Sequence, residues 1–395
     1  MRIAIVHDYL AQAGGAERVV AAMHDVFPEA PIYTSVYDPE ATLPIFKTLD
    51  VRTSFLQKWA RSSRLHKFAL PLYPAAFEQF DLSGYDVVLS STTGFAKGVI
   101  TNPETCHICY CHTPARFAWR AHEYIAQGNY GRLTRGVLPW MTHHLRSWDF
   151  QSAQRVDYFI ANSYNTSRRI QKHYRRPSEV LHPPVETARF RLAESPSANY
   201  YLVVARLVGY KRVDIAVEAM TQLGLPLKVV GIGPDEARLR TLAGPNVEFL
   251  GRVSDDAVSE LLANCRAFLF PGEEDFGITP LEAMACGRPV IALRAGGALE
   301  TVVENFTGVF FNEPTVEAFI GAVERLETFL PVNPWRVRKH AELFDVQQFR
   351  TRLRMIVETR LSEHKLAYAA VGPLGGGRMD RAISQEIPKP EESFL

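Results

Sequence analysis

Two carboxylates, Glu274 and Glu282, bracket Phe276-Gly277-Ile278-Thr279-Pro280 in a stretch that runs from Gly272 to Val290. Residues 266–270 form a short apolar run ending at Pro271-Gly272, which reads as a buried strand and its exit. Thr279-Pro280-Leu281-Glu282 then reads as a helix start: Thr279 as N-cap, Pro280 in the first turn, Glu282 closing a capping box. Gly287 and Pro289 stop that helix, and residues 290–293 resume a strand. The arrangement sets the amides of residues 276–279 at a helix amino end, between two acidic groups. Amides there donate to anionic oxygens, whereas carboxylates accept from hydroxyls. A ligand carrying both groups suits the stretch. Taken singly, Glu282 as a mere cap and Glu274 as a solvated loop residue are equally good accounts; the intervening Phe276-Gly277 favours a site.

Cations that could answer such a ligand stand elsewhere. Arg206 and Lys211 lie in Arg206-Leu207-Val208-Gly209-Tyr210-Lys211-Arg212, at the turn after an apolar strand over residues 200–204. Lys211 and Arg212 near a helix start oppose the helix dipole, a conflict that a bound anion removes and that plain surface charge leaves standing. Gly14-Gly15 opens the first strand-to-helix turn, where a missing side chain lets the backbone approach an anion closely. Taken alone, the pair is more readily a plain tight turn. Gly231-Ile232-Gly233 continues to Glu236 rather than to glycine, so a nicotinamide dinucleotide is poorly supported. His112 closes the run Cys106-His107-Ile108-Cys109-Tyr110-Cys111, at the end of a strand, where open α/β sheets border their ligand crevice. A purely structural histidine is the competing account. The three cysteines place neighbouring sulfurs on alternating faces of that strand, where they cannot converge on one ion, so no metal site is expected.

These groups must be positioned by strands at residues 3–6, 86–90 and 157–162, followed by a second series at 200–204, 228–232, 266–270 and 290–293. The runs are continuously apolar, as strands buried on both faces of a parallel sheet are, and helical patterns alternate with them. Two doubly wound α/β domains facing each other follow, over residues 1–185 and 186–345, with an interdomain linker over 181–199.

Glu274 and Glu282, with Phe276-Gly277 between them in a strand–loop–short helix context, resemble the Glu-x7-Glu signature of retaining glycosyltransferases of family 4, which have the GT-B fold. The resemblance covers residues 1 to about 360. It implies that Glu274 contacts the hydroxyls of the donor sugar, Glu282 the nucleotide ribose, and the backbone of Phe276, Gly277, Ile278 and Thr279 the sugar and phosphates. It assigns Gly15, Arg206 and Lys211 to the diphosphate, His112 to the sugar, and Val253, in Gly251-Arg252-Val253, to the base-contacting loop. The run Tyr110-Cys111-His112-Thr113-Pro114 resembles a bacterial polysaccharide and O-antigen mannosyltransferase subgroup, which implies GDP-mannose as donor. The family further implies retention at the anomeric carbon, front-face attack with the leaving phosphate taking the acceptor proton, and no metal or cofactor beyond the sugar nucleotide. Its last helix commonly crosses back to the first domain, which falls here on residues 346–365.

Composition narrows the setting. The net charge is +1, from 44 basic and 43 acidic residues, and no basic stripe crosses both halves, so nucleic acid is not an expected partner. Five cysteines without framework spacing suit a reduced, cytoplasmic protein. Residues 52–73 alternate basic and aromatic side chains, among them Arg52, Phe55, Lys58, Trp59 and Tyr73. An ordinary solvated helix and a surface that meets an anionic membrane both account for that pattern. A lipid-linked saccharide acceptor favours the second. Residues 366–395 are glycine- and proline-rich at both ends and read as a disordered tail. Rival readings are a sugar-nucleotide epimerase or phosphorylase of the same fold, and a non-catalytic nucleotide-sugar sensor.

Overall fold

The computed structural model describes residues 1–58, 70–119, 132–192, 199–329 and 332–370. Its first sheet contains β1 (Ile3–His7), β2 (Ile32–Thr34), β3 (Val51–Thr53), β4 (Val87–Thr92), β5 (Cys106–Cys111), β6 (Tyr158–Ala161) and β7 (Ser178–Val180), in the order β3-β2-β1-β4-β5-β6-β7. The second contains β8 (Tyr201–Val204), β9 (Leu227–Val230), β10 (Val247–Gly251), β11 (Ala267–Phe270), β12 (Val290–Leu293) and β13 (Gly308–Phe311), in the order β10-β9-β8-β11-β12-β13. Every pairing is parallel. Strand order therefore reverses between β1 and β4 and again between β8 and β11, and each reversal opens a crevice at the carboxyl edge.

The continuous apolar runs are explained by burial from both sides. Every residue of β1, β4 and β5 is buried, and separate cores lie on the two faces of each sheet. The six residues of β5 divide between those cores. Cys106 joins Ile5 and Ile108 on one side, whereas Cys109 and Cys111 share the other with Phe159 and Tyr174. This corrects the expectation that all neighbouring sulfurs alternate: a two-residue spacing returns to the same face of a strand.

The chain's last described helix, Val346–Ala370, belongs with the first sheet. Phe349, Leu353, Ile356, Val357 and Leu361 enter the same core as β1, β5 and the Gly15–Val26 helix. It runs five residues beyond the 346–365 expected for it, and its terminal turns are exposed. The two crossings between domains lie side by side: the Val185 amide donates to Phe344 O (3.0 Å) and the Val346 amide to Val185 O (2.9 Å). Residues 366–370, assigned above to the tail, instead complete this helix, since no helix breaker stands before Gly372; residues 371–395 lie outside the described residues.

The basic and aromatic stretch is not one helix. Its described parts are β3, a 3-10 turn at Phe55–Lys58, another at Leu70–Leu72, and the start of the Tyr73–Glu78 helix. Arg52 pairs with Asp50 (2.7 Å). Residues 59–69, which carry much of the proposed membrane-facing pattern, lie outside the described residues.

A buried ion pair holds the loops at the carboxyl edge of the first sheet. Lys97 and Asp149 are paired at 0% and 1% side-chain exposure. Asp149 also accepts from the Trp119 indole (2.7 Å) and the Tyr174 hydroxyl (2.9 Å), while Lys97 reaches the Gly94 carbonyl. The pair thereby ties the loop after β4 to the Arg116–Trp119 turn that follows His112. Removing one member leaves the other charge buried without compensation. Asp149→Ala is expected to destabilise the protein by about 3–5 kcal/mol, read from chemical denaturation.

Candidate active site

Both crevices face one another. The Gly15–Val26 helix starts at the edge of β1, and the Ile278–Ala285 helix starts after β11. A methyl group added at Gly15 would lie 3.0 Å from Ile278 Cδ1, so the two helix amino ends approach closely across the interface. First-turn amides have no intrahelical acceptor, which leaves those of Gly277, Ile278 and Thr279 directed outward; Pro280 has none to leave. Lys211, at the end of a 3-10 turn after β8, forms an ion pair with Glu274, and both side chains are largely buried. Arg206 is exposed on the rim, near enough to Tyr9 of the first domain to act on it electrostatically.

Glycines let the loops after β8, β11 and β12 converge here. A Cβ at Gly272 would meet the Lys211 backbone at 2.7 Å, and one at Gly297 would meet Phe276 Cα at 2.2 Å. The Gly297 amide also donates to Glu274 O (2.9 Å). Gly277 itself has φ of 89°, a left-handed conformation that other residues adopt only with strain. Across the cleft, His112 follows β5, its amide bonded to Thr92 O (2.9 Å) and its ring Nε2 lying 2.8 Å from Ser91 Oγ. Burial, and then the neighbouring His7 charge, push the His112 pKa down to about 4, so the ring is neutral.

The geometry matches what sequence comparison finds. The profile described as "Glycosyltransferase Family 4" matches residues 13–189, and that of "Glycosyl transferases group 1" matches residues 184–329. The chain belongs to the family 4 glycosyltransferases. It is 26% identical over 365 residues to the human alpha-1,3/1,6-mannosyltransferase ALG2, covering 79% of this chain and 84% of that one. It is 32% identical over 180 residues to a GDP-mannose-dependent alpha-(1-6)-phosphatidylinositol dimannoside mannosyltransferase of Mycobacterium tuberculosis, covering 43% of this chain and 47% of the relative. For several other curated relatives the matched stretch likewise spans less than half of their own length. Sucrose-phosphate synthase from Thermosynechococcus elongatus superposes with a TM-score of 0.69 at 16% identity, over 92% of this chain and all of that one. The architecture is GT-B.

Several residues of this family 4 glycosyltransferase sit differently from their sequence-based assignments. The helix in the motif begins at Ile278 with Gly277 as its cap, so Thr279 is its second residue and no side chain caps it. Glu282 is therefore beyond the first turn and makes no capping box. Its carboxylate points into the domain interface, 3.6 Å from Arg189, with Arg18 nearby. Burial raises its pKa against the opposing pull of those arginines. Asp255 bridges the same two cations, at 2.6 Å from Arg18 and 2.9 Å from Arg189, two residues after Val253. A cavity of about 40 Å³ remains between Arg18, Arg189, Ile278 and Glu282. That admits ordered water but no nucleoside, so this interface is closed. Arg212, expected to oppose the dipole of the following helix, is compensated by Asp214 in its first turn (3.2 Å).

The residues that hold the cleft were not singled out by sequence. Asp275, inside the motif, pairs with Arg116 and Arg169 of the first domain, and Arg169 also reaches Glu273 (2.7 Å). Ser163 donates to Asp275 O (2.8 Å). Glu300, after the Gly296-Gly297 turn, accepts from the amides of Tyr164 (2.8 Å) and Asn165 (2.9 Å) and lies 3.0 Å from His182 Nε2. It thus caps a first-domain helix from the second domain. His182 in turn stacks on Phe276, which is why that motif residue is buried rather than lining open space. Only proximity in the fold reveals these pairs; nothing in the spacing of Arg169 or Glu300 marks them.

Burial works to raise the Glu300 pKa, but its bonds to His182 and the two amides outweigh this and leave it lowered. A lowered carboxylate contributes stability above its ordinary value of 4.5 and loses it as pH falls through the folded value. Interdomain docking should therefore weaken below about pH 4.5. In Glu300→Gln, melting temperature is expected to be lower at neutral pH and to fall less steeply on acidification.

Proposed function

We propose that the protein transfers a mannosyl group from GDP-mannose to a hydroxyl of a lipid-linked saccharide, with retention of anomeric configuration. The observation that carries this reading is the meeting of two helix amino ends at Gly15 and Ile278 beside the Lys211–Glu274 pair. Departure of a nucleoside diphosphate places growing negative charge on its bridging oxygen. Outward amides and cations, Lys211 and Arg206 among them, stabilise that charge without reorganising. The donor divides the existing ion pair: its diphosphate takes Lys211 and its hexose hydroxyls take Glu274. Each charged side chain exchanges one partner for another, so neither is left buried alone. On the opposite wall His112 meets the sugar. The leaving phosphate oxygen receives the acceptor proton as the new glycosidic bond forms on the same face.

Mannose and guanine are supported by relatives with mannosyltransferase names, one of them GDP-mannose-dependent, and by the sequence around His112. A lipid-linked acceptor would bring the enzyme to the cytoplasmic surface of a membrane, with the basic, aromatic stretch over residues 52–73 as the part that meets anionic headgroups. Among the described residues no helix is long and apolar enough to cross a membrane.

Thermal unfolding with GDP-mannose, GDP-glucose, UDP-glucose and UDP-N-acetylglucosamine tests the donor. GDP-mannose is expected to raise the melting temperature most, since a ligand at a hundred times its Kd adds about 2.7 kcal/mol; a larger shift with a UDP-sugar would refute the guanine assignment. Glu274→Ala should lower turnover by about a hundredfold or more through lost positioning, with GDP affinity changed by less than about threefold. Near-normal turnover in that variant would remove Glu274 from the site.

A further inference from the structure

Behind His112 lies a buried polar chain that binding of a sugar does not by itself require. Glu17, in the first turn of the Gly15–Val26 helix, is 1% exposed. Its Oε2 accepts from the Gly14 amide (2.9 Å) and its Oε1 from Gln12 (3.1 Å). That same Oε1 faces His7 Nε2 at 3.8 Å. His7, buried at the end of β1, places Nδ1 3.0 Å from Ser91 O and 3.2 Å from Ser91 Oγ. The Ser91 hydroxyl, on neighbouring β4, completes the path to His112 Nε2 at 2.8 Å.

The direction of each bond follows from what the atoms are able to do. The Ser91 carbonyl only accepts, so His7 carries a proton on Nδ1, and the Glu17 carboxylate 3.8 Å from Nε2 favours a second proton there. Burial opposes that charge on each partner, yet Glu17 raises the His7 pKa and His7 lowers that of Glu17. With a His7 N–H beside it, Ser91 Oγ is an acceptor on that side and directs its own proton to His112 Nε2. The remaining ring proton of the neutral His112 then sits on Nδ1. That nitrogen makes no hydrogen bond among the described residues and is not fully buried. Asp275 of the motif loop is close enough to act on the ring electrostatically.

We propose that Glu17, His7 and Ser91 are positioning residues that lock His112 in the tautomer protonated on Nδ1, so that it presents a donor, never a base, to the sugar in the cleft. The proposal rests on the reading of His112 as a donor-sugar contact. It adds why that residue is backed by a histidine–carboxylate pair: burial keeps the His112 ring neutral, His7 adds to that effect, and the serine relays the orientation. Tautomer choice by the hydrogen bond on the far nitrogen is the device that orients metal-bound histidines, used here on a sugar.

The tautomer is read directly from long-range proton–nitrogen spectra of protein labelled at histidine, independent of any turnover. In the wild type the His112 signals are expected to show a protonated Nδ1 and an unprotonated Nε2. Ser91→Ala, which removes a single oxygen, and His7→Leu should each convert this to a mixture of tautomers; His7→Asn, which retains a donor at the Nδ1 position, should preserve it. In transfer assays Ser91→Ala should lower kcat by about tenfold or more while donor KM moves less than about threefold, with His7→Asn close to wild type. A wild-type His112 protonated on Nε2, or an unchanged tautomer in both Ser91→Ala and His7→Leu, overturns the proposal. Absence of transfer with every sugar nucleotide would refute the proposed function, while the spectra would still decide this one.

Discussion

The carboxylate of Asp275 fixes the working geometry of the molecule. It belongs to the second domain and to the loop that carries Glu274, yet its partners, Arg116 and Arg169, come from the first. Arg116 follows His112 by four residues and leans on the ring of Tyr210, next to Lys211. One side chain thus registers the sugar-facing wall of one sheet against the phosphate-facing loops of the other. Two guanidinium groups on one partly buried carboxylate also explain how a small interdomain contact holds: each charge removed from water has a partner within hydrogen-bond reach. Glu300 repeats the arrangement in another form, its carboxylate accepting from the amides at the start of a first-domain helix.

A cleft held by charges is closed and yet separable. Its interface contains Arg18, Arg189, Asp255 and Glu282 with little room between them, so a nucleoside enters only if those groups move. The backbone offers a place for that movement. Both interdomain crossings pass through Val185 and its neighbours Phe344 and Val346, loop and element-terminal positions of the kind that absorb backbone rotation at a hinge. Ion pairs suit such motion better than apolar packing, because separated charges are rehydrated.

Much of this was legible in the sequence, for a definable reason. Strands buried on both faces must be continuously apolar, so β1, β4, β8, β11 and β12 announce themselves, as does the alternation that makes two domains. Strands of three residues, such as β2, β3 and β7, are too short for any pattern to emerge. The motif loop was visible because its composition is unusual; its cap was misplaced because Gly277 in a left-handed conformation starts a helix as readily as Thr279 does. Glu282 shows the deeper limit. Its residue type and spacing mark it, but the two arginines that its carboxylate meets lie at positions 18 and 189, and no local rule joins them.

The same limit explains why no local pattern singles out Glu17. Locally it does close a helix start, through the Gly14 amide. Its second oxygen is what differs: it is buried beside His7, ten residues earlier at the end of β1, where an apolar side chain would fill the core were packing the sole task. A buried histidine–carboxylate pair is a costly way to fill space, since replacing such pairs by apolar groups is commonly neutral or stabilising. Its persistence at the end of β1, one hydroxyl away from His112, is intelligible when the charge acts on something beyond the pair. In a doubly wound sheet that place is the carboxyl edge of adjacent central strands, where a change in hydrogen-bond polarity on β1 is passed to β4 and then to β5 without crossing a loop.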